Sequence, residues 1–209
     1  MSGIAAIFDR DFAPIDRAEI DRMLAAIAHR GPDGSNSWAR GPVALGHAAF
    51  RTTPESLHEV QPLFDEPSGI CLTLDGRIDN RDELGDALRA NGARLTADSD
   101  AEMVLRAYQL WGEDCAIRLI GDFALVIWDE RNRIIFAARD AIGVRPLYYH
   151  CDSRRFVAGS EPREIVEGAR LAREPNEGWI AEYLNGGLIT RDETPLRGVM
   201  ALPPAHCMT

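Results

Sequence analysis

The chain has 209 residues, with 33 acidic against 23 basic side chains and a formal net charge of -10. That balance argues against non-specific binding to nucleic acid or to an anionic membrane, and it says little about fold. The length fits one globular domain, and a 45% hydrophobic content can fill a sizeable core. Every basic side chain is arginine, so a lysine Schiff base or lysine general base is excluded. Cys71, Cys115, Cys151 and Cys207 are widely spaced and form no CxxC pair, and the five histidines lack metal-ligand spacing. Reduced thiols in a cytoplasmic protein, with no metal site, are the expectation. The N-terminal apolar run is short and meets Asp9 and Arg10 at once, unlike a signal peptide. No stretch approaches the roughly 18 apolar residues of a membrane span.

The elements follow in order. Ile4 to Phe8 reads as a short buried strand. Ala18 to Ile27 reads as an amphipathic helix, with Ile20, Met23, Leu24 and Ile27 at spacings of three and four. His29 to Gly34 ends it, since Gly31 and Pro32 continue a helix poorly, and His29 is expected to fix that turn. Val43 to Phe50 is a strand candidate, broken by Thr53-Pro54. Gly69 to Leu74 is another, closed by Asp75-Gly76. Helices fit Arg81 to Ala90 and Ala101 to Trp111, the second capped by Asp98 or Ser99. Gly121 to Asp129 reads as a buried strand, with Arg133 to Ala138 at hairpin distance. Leu147 to Cys151 and Arg155 to Ser160 suggest a second hairpin. Glu167 to Gly178 is polar and turn-rich, and Trp179 to Leu184 fits a short helix. Strands outnumber long helices, which supports a layered α/β or α+β domain.

Several motifs then carry a family likeness. The opening Met1-Ser2-Gly3-Ile4-Ala5-Ala6-Ile7-Phe8, His29-Arg30-Gly31-Pro32-Asp33, Leu74-Asp75-Gly76-Arg77-Ile78-Asp79-Asn80 and Ser99-Asp100 stand in one order. Gly121-Asp122-Phe123-Ala124, Arg139-Asp140-Ala141-Ile142-Gly143-Val144-Arg145-Pro146, Ser160-Glu161 and Leu202-Pro203-Pro204 continue it. Together they resemble the class II glutamine amidotransferase domain of the asparagine synthetase family, over essentially residues 1–209. The resemblance implies an α+β fold, the four-layer α-β-β-α sandwich of the N-terminal-nucleophile hydrolase type.

The resemblance also implies a chemistry. A Cys freed by removal of the initiator Met attacks the glutamine amide, with its own α-amine as base. An Asn side chain and a Gly amide form the oxyanion hole. An Arg holds the glutamine carboxylate and an Asp its amino group. Here the nucleophile position is Ser2, whose small side chain permits removal of Met1, but a hydroxyl lacks the thiolate fraction of Cys. The Asn-Gly pair is Asp75-Gly76. A lost oxyanion donor costs roughly 3 kcal/mol, and an ionised carboxylate is worse. The following Glu is replaced by Arg77, which is expected to pair with Asp75 two residues away along one side of the strand. The clamping Arg is missing, since His47 is followed by Ala48 and Ala49. Arg51 lies about 7 Å further along and has the strand parity to compensate, its ordinary role being that of a structural or solvent-facing arginine. Asp100 matches the amino-group Asp, with helix capping as its ordinary role. Arg139, Asp140 and Gly143 read as a structural loop with a buried ion pair, or as the lining of a domain interface.

The candidate site is therefore Ser2, Asp75 and Gly76 for catalysis, and Arg51, Arg77 and Asp100 for substrate. Four departures on four roles, at positions 2, 49, 75 and 77, favour a silent glutaminase fold supporting an asparagine-synthetase-like ligase. The pattern is similar to lasso-peptide cyclases and β-lactam synthetases, in which ATP activates a carboxylate and an amine already in the substrate attacks. No Ser-Gly-Gly-x-Asp-Ser loop occurs, so ATP and Mg are expected only in a synthetase domain outside this chain. That domain, in cis or separate, and a precursor peptide are the expected partners, with no nucleic acid and no membrane. A working N-terminal serine amidohydrolase, the glutaminase domain of a true asparagine synthetase and a free-standing binding module stay open.

Overall fold

A computed structural model describes residues 1–57, 59–97, 99–187 and 189–209. Two antiparallel sheets lie face to face with helices outside both. The first sheet contains β1 (Gly3–Asp9), β2 (Ser35–Arg40), β3 (Val43–Ala48), β8 (Tyr148–Cys151), β9 (Arg155–Gly159) and β10 (Met200–Ala201), in the order β10-β8-β9-β1-β3-β2. The second contains β4 (Leu63–Asp65), β5 (Ile70–Ile78), β6 (Gly121–Asp129), β7 (Ile134–Arg139) and β11 (Cys207–Met208), in the order β11-β7-β6-β5-β4. Helices α1 (Arg17–Ala26) and α4 (Pro162–Ala169) cover the first sheet, while α2 (Arg81–Ala90) and α3 (Asp100–Trp111) cover the second. Helix α5 (Glu177–Leu184) follows in the C-terminal segment.

Strand alternation creates the layers. On β1, Ile4 and Ala6 face the second sheet with Val43, Leu45, Val126 and Trp128, while Ala5 and Ile7 face α1 and α4 with Ile20, Met23 and Ile165. On β5, Leu72, Leu74 and Ile78 pack under α2 and α3 with Leu88, Val104 and Phe136. Three apolar layers between four structural ones make the α-β-β-α sandwich. Helix ends are satisfied locally. Asp16 accepts the Ala18 N–H (3.0 Å) at the start of α1, and Ser99 accepts the Glu102 N–H (3.2 Å) at the start of α3. Asp98, the other capping candidate, lies outside the described residues.

Several expectations need correction. β3 stops at Ala48 rather than Phe50, where its pairing with both neighbours runs out, at Gly3 of β1 and Ser35 of β2. β5 does not close at Asp75-Gly76 but runs on to Ile78, with Gly76 opposite Phe123. A Cβ on Gly76 would lie 2.6 Å from the Asp122 carbonyl oxygen, so only glycine allows this pairing. Polar β2, three-residue β4 and α4 were not expected. His29 does not close its turn, which backbone bonds complete; its ring instead meets Glu161 (2.8 Å) and Arg163 (2.7 Å) at the start of α4. Arg139 and Asp140 each gather backbone groups rather than pairing. Arg139 donates to the carbonyls of Arg145, Leu202 and Gly143, and Asp140 accepts from the amides of Ile142, Val144 and Arg145. Among the described residues no helix is long and apolar enough to cross a membrane. Nor, among them, do three or more His, Cys, Asp or Glu side chains cluster to hold a metal ion.

Candidate active site

β1 lies between β3 and β9 in the first sheet, and its first residues reach the end of the sandwich where β5 finishes. A cavity of about 320 Å³ opens there. Ser2, Arg51, Gly76, Arg77 and Asp100 all line it, so five of the six candidate residues converge. The Ser2 hydroxyl is anchored on Phe50, accepting its N–H (3.0 Å) and directed at its carbonyl oxygen (3.4 Å). Arg30 donates to the Ser2 carbonyl (3.2 Å) and is itself held by Glu161 (2.6 Å).

Arg51 reaches the cavity by a route other than strand parity, because β3 has already ended. Its backbone N–H donates to Asp33 (2.8 Å), and its side chain is exposed at the cavity edge. Arg77 does not pair with Asp75. Exposed, it binds Asp79 at 2.7 Å, because burial separates the two carboxylates' environments. Asp100 accepts the Ile78 N–H (3.2 Å) and the Arg81 guanidinium, so it ties the start of α3 to the end of β5. Burial raises its pKa above the usual carboxylate range, against the pull of Arg81.

Asp75 is the sixth candidate, and it sits behind the cavity wall at 2% exposure. It shares the β5 face of Cys71 and of Thr73, whose hydroxyl crosses to the Gly46 carbonyl of the opposite sheet (2.9 Å). Its Oδ1 accepts from Arg145 Nη1 at 3.4 Å, its Oδ2 has no hydrogen-bond partner, and the Ser2 N–H is directed at the carboxylate. Burial pushes Asp75 up to about 6, with Arg145 and Arg30 opposing the shift.

Arg145, His47, Glu59 and Gln61 border the cavity and were not singled out as site residues. Arg145 is placed by the loop that Arg139 and Asp140 brace. Gln61 fixes the 51–61 segment to β5 by bonding both backbone groups of Leu74 (2.6 and 3.1 Å). Its amide also reaches Glu59, whose pKa burial raises. His47 is held neutral. Burial, then the Arg51 charge, lowers it to about 4.

Asp75 and His47 oppose each other in pH dependence. A raised carboxylate favours folding below its unfolded value of 3.8 and loses that contribution as pH rises through about 6. A depressed histidine contributes fully above 6.5 and loses its contribution as pH falls toward about 4. Asp75→Asn removes the first and leaves the second. Its urea-unfolding free energy should therefore fall more steeply than that of the parent between pH 6 and pH 4; equal slopes would contradict the assigned burial of Asp75.

An α-β-β-α sandwich whose first strand delivers a hydroxyl-bearing residue to a cavity at the sheet ends is an N-terminal-nucleophile amidotransferase fold. Solved structures agree on that fold. A glutamine phosphoribosylpyrophosphate amidotransferase from B. subtilis superposes with TM-score 0.64 at 19% identity, over 80% of this chain and 43% of that one. The chain belongs to the glutamine amidotransferase domain family, whose model matches residues 1–209, and within it to the class II domains of the asparagine synthetase type. Relatives include asparagine synthetase [glutamine-hydrolyzing] 3 of Bacillus subtilis (strain 168), 32% identical over 197 residues, or 93% of this chain and 32% of the relative. Amidase chry2 of Gibberella zeae is 30% identical over 191 residues, or 90% of this chain and 28% of that protein. The chain thus spans about a third of the length of these relatives.

Proposed function

We propose that this domain is a glutaminase-silent amidotransferase fold that supports an ATP-dependent, amide-forming ligase domain, in cis or as a separate chain. The observation that carries the reading is Asp75. A buried carboxylate engaged by Arg145 stands where the family's resemblance asks for an oxyanion donor. Negative charge developing on an attacked amide would meet an acceptor instead of a dipole. Ala49 leaves the carboxylate clamp vacant, and Ser2 replaces the thiol. The named asparagine synthetases and amidase among the relatives support amide chemistry for the whole protein. A ligase whose nucleophile is an amine within its own substrate, as in peptide macrocyclisation from a precursor peptide, has no need of ammonia. ATP and magnesium belong to that ligase domain, and a cytoplasmic setting suits the four free thiols.

The test is ammonia release from L-glutamine by chain verified to lack Met1. The expected rate matches that of Ser2→Ala and of buffer. Turnover that disappears in Ser2→Ala would overturn the reading and leave the serine amidohydrolase, which the cavity-facing Ser2 hydroxyl favours. It would equally admit the glutamine-hydrolysing role named in the asparagine synthetase relatives.

A further inference from the structure

The orphan oxygen of Asp75 calls for a donor. Ser2, Ile4 and Ala6 share one face of β1 and its approach, and Cys71, Thr73 and Asp75 share the facing side of β5, so Ser2 and Asp75 meet across the inter-sheet layer. Of the cations that face this carboxylate, Arg30 is occupied by Glu161 and by the Ser2 carbonyl. Arg145 comes no nearer than 3.4 Å, because its own backbone N–H is bound to Asp140 and its carbonyl to Arg139. Asp75 Oδ2 is left buried and unmatched. A buried acceptor without a donor is destabilising, and more so when charged.

We propose that Asp75 captures the α-ammonium group of Ser2 once Met1 is absent, making Asp75 a positioning residue for the chain's own amine. Met1 is half exposed, within reach of an aminopeptidase. Hydrolysis of the Met1–Ser2 bond consumes one water and releases methionine. The new amine takes up a proton and turns the one amide N–H directed at the carboxylate into three charged donors. An ion pair there has two consequences. The amine holds its proton, so it cannot accept the one on the Ser2 hydroxyl, and Asp75 stays ionised. The silent state then follows from a charge pair, and not only from the loss of a thiol. This inference rests on the proposed function for its consequence, but its geometry stands apart from it.

The chain contains no lysine, so reductive methylation with isotope-labelled methyl groups marks the α-amine alone. Titration of that signal by NMR, on chain verified to lack Met1, measures its proton affinity. The amine of the parent should bind its proton about tenfold more tightly than that of Asp75→Asn, a shift of roughly one pH unit. Arg145→Gln, which removes the competing cation, should raise the midpoint further and serves where Asp75→Asn does not fold. Equal midpoints in parent and Asp75→Asn, or no rise in Arg145→Gln, overturn the capture and leave the glutaminase reading intact. Ammonia release by parent chain whose amine titrates high would do the reverse.

Discussion

Glutamine hydrolysis should appear in the triple variant Ser2→Cys/Ala49→Arg/Asp75→Asn and remain at background in each single variant. The three changes act on one transition state. Cysteine supplies a thiolate that serine cannot. Asparagine replaces a buried acceptor by a donor, worth about 10²–10³ in rate where such donors have been removed elsewhere. It also ends the charge pair with Arg145, so the side chain can turn toward the cavity. Ala49 lines that cavity, so an arginine there would bring a guanidinium back to the clamp position. Groups that act as a unit lose most of their effect when any one is missing, so gains should not be additive. Ammonia release should therefore exceed that of Ser2→Cys by at least about 10²-fold. If Ser2→Cys alone matched the triple variant, the cavity would be competent as it stands and Asp75 would be no obstacle.

The largest stability loss is expected at Gly121, beside the same cavity. Gly121 starts β6 with φ +150°, and a Cβ there would lie 2.1 Å from the Arg77 carbonyl oxygen and 3.1 Å from the Asp79 nitrogen. Those are backbone atoms of the paired strand, so no side-chain rotation relieves the clash. Gly121→Ala should cost about 3–5 kcal/mol, combining backbone strain with overpacking. That is a large part of a typical folding free energy of about 5–15 kcal/mol. Gly34→Ala is the matched control. Gly34 has φ +115° but nothing within 4 Å of its Cβ position, so only strain of about 1–3 kcal/mol applies. Urea midpoints separate the two. Equal losses would mean that the close approach of Gly121 to Arg77 does not exist in solution.

Legibility differed by element and by range. β6 carries an unbroken, buried apolar run from Phe123 to Trp128, and the helical spacing of Ile20, Met23, Leu24 and Ile27 buries one face of α1, so both were readable locally. β2 was not, because an edge strand of sequence Ser35-Asn36-Ser37-Trp38-Ala39-Arg40 needs no apolar alternation. α4 did carry a signal. Glu161-Pro162 followed by Glu164 is a capping box with proline at the first helical position, but the polar residues after it concealed the helix. In the site, Ser2, Gly76 and Asp100 were legible through motif order. The partner of Asp75 was not. Arg77 is two residues away and Arg145 is 70, and burial decides between them: Asp75 lies inside the inter-sheet layer, while Arg77, further along the same face, is exposed.

The position of β1 also shapes how the protein is made. It pairs with β3, which lies close by in sequence, through the Gly3–Ala48 to Phe8–Val43 register. Its other edge stays uncovered until β9 arrives, more than a hundred residues later, with Ala5 opposite Gly159. At roughly 5–20 residues per second, an apolar, unpaired strand edge is displayed for many seconds during translation. Until β9 is made, that edge is open to pairing with another chain, and the strand that carries Ser2 to the cavity gains its second neighbour only then.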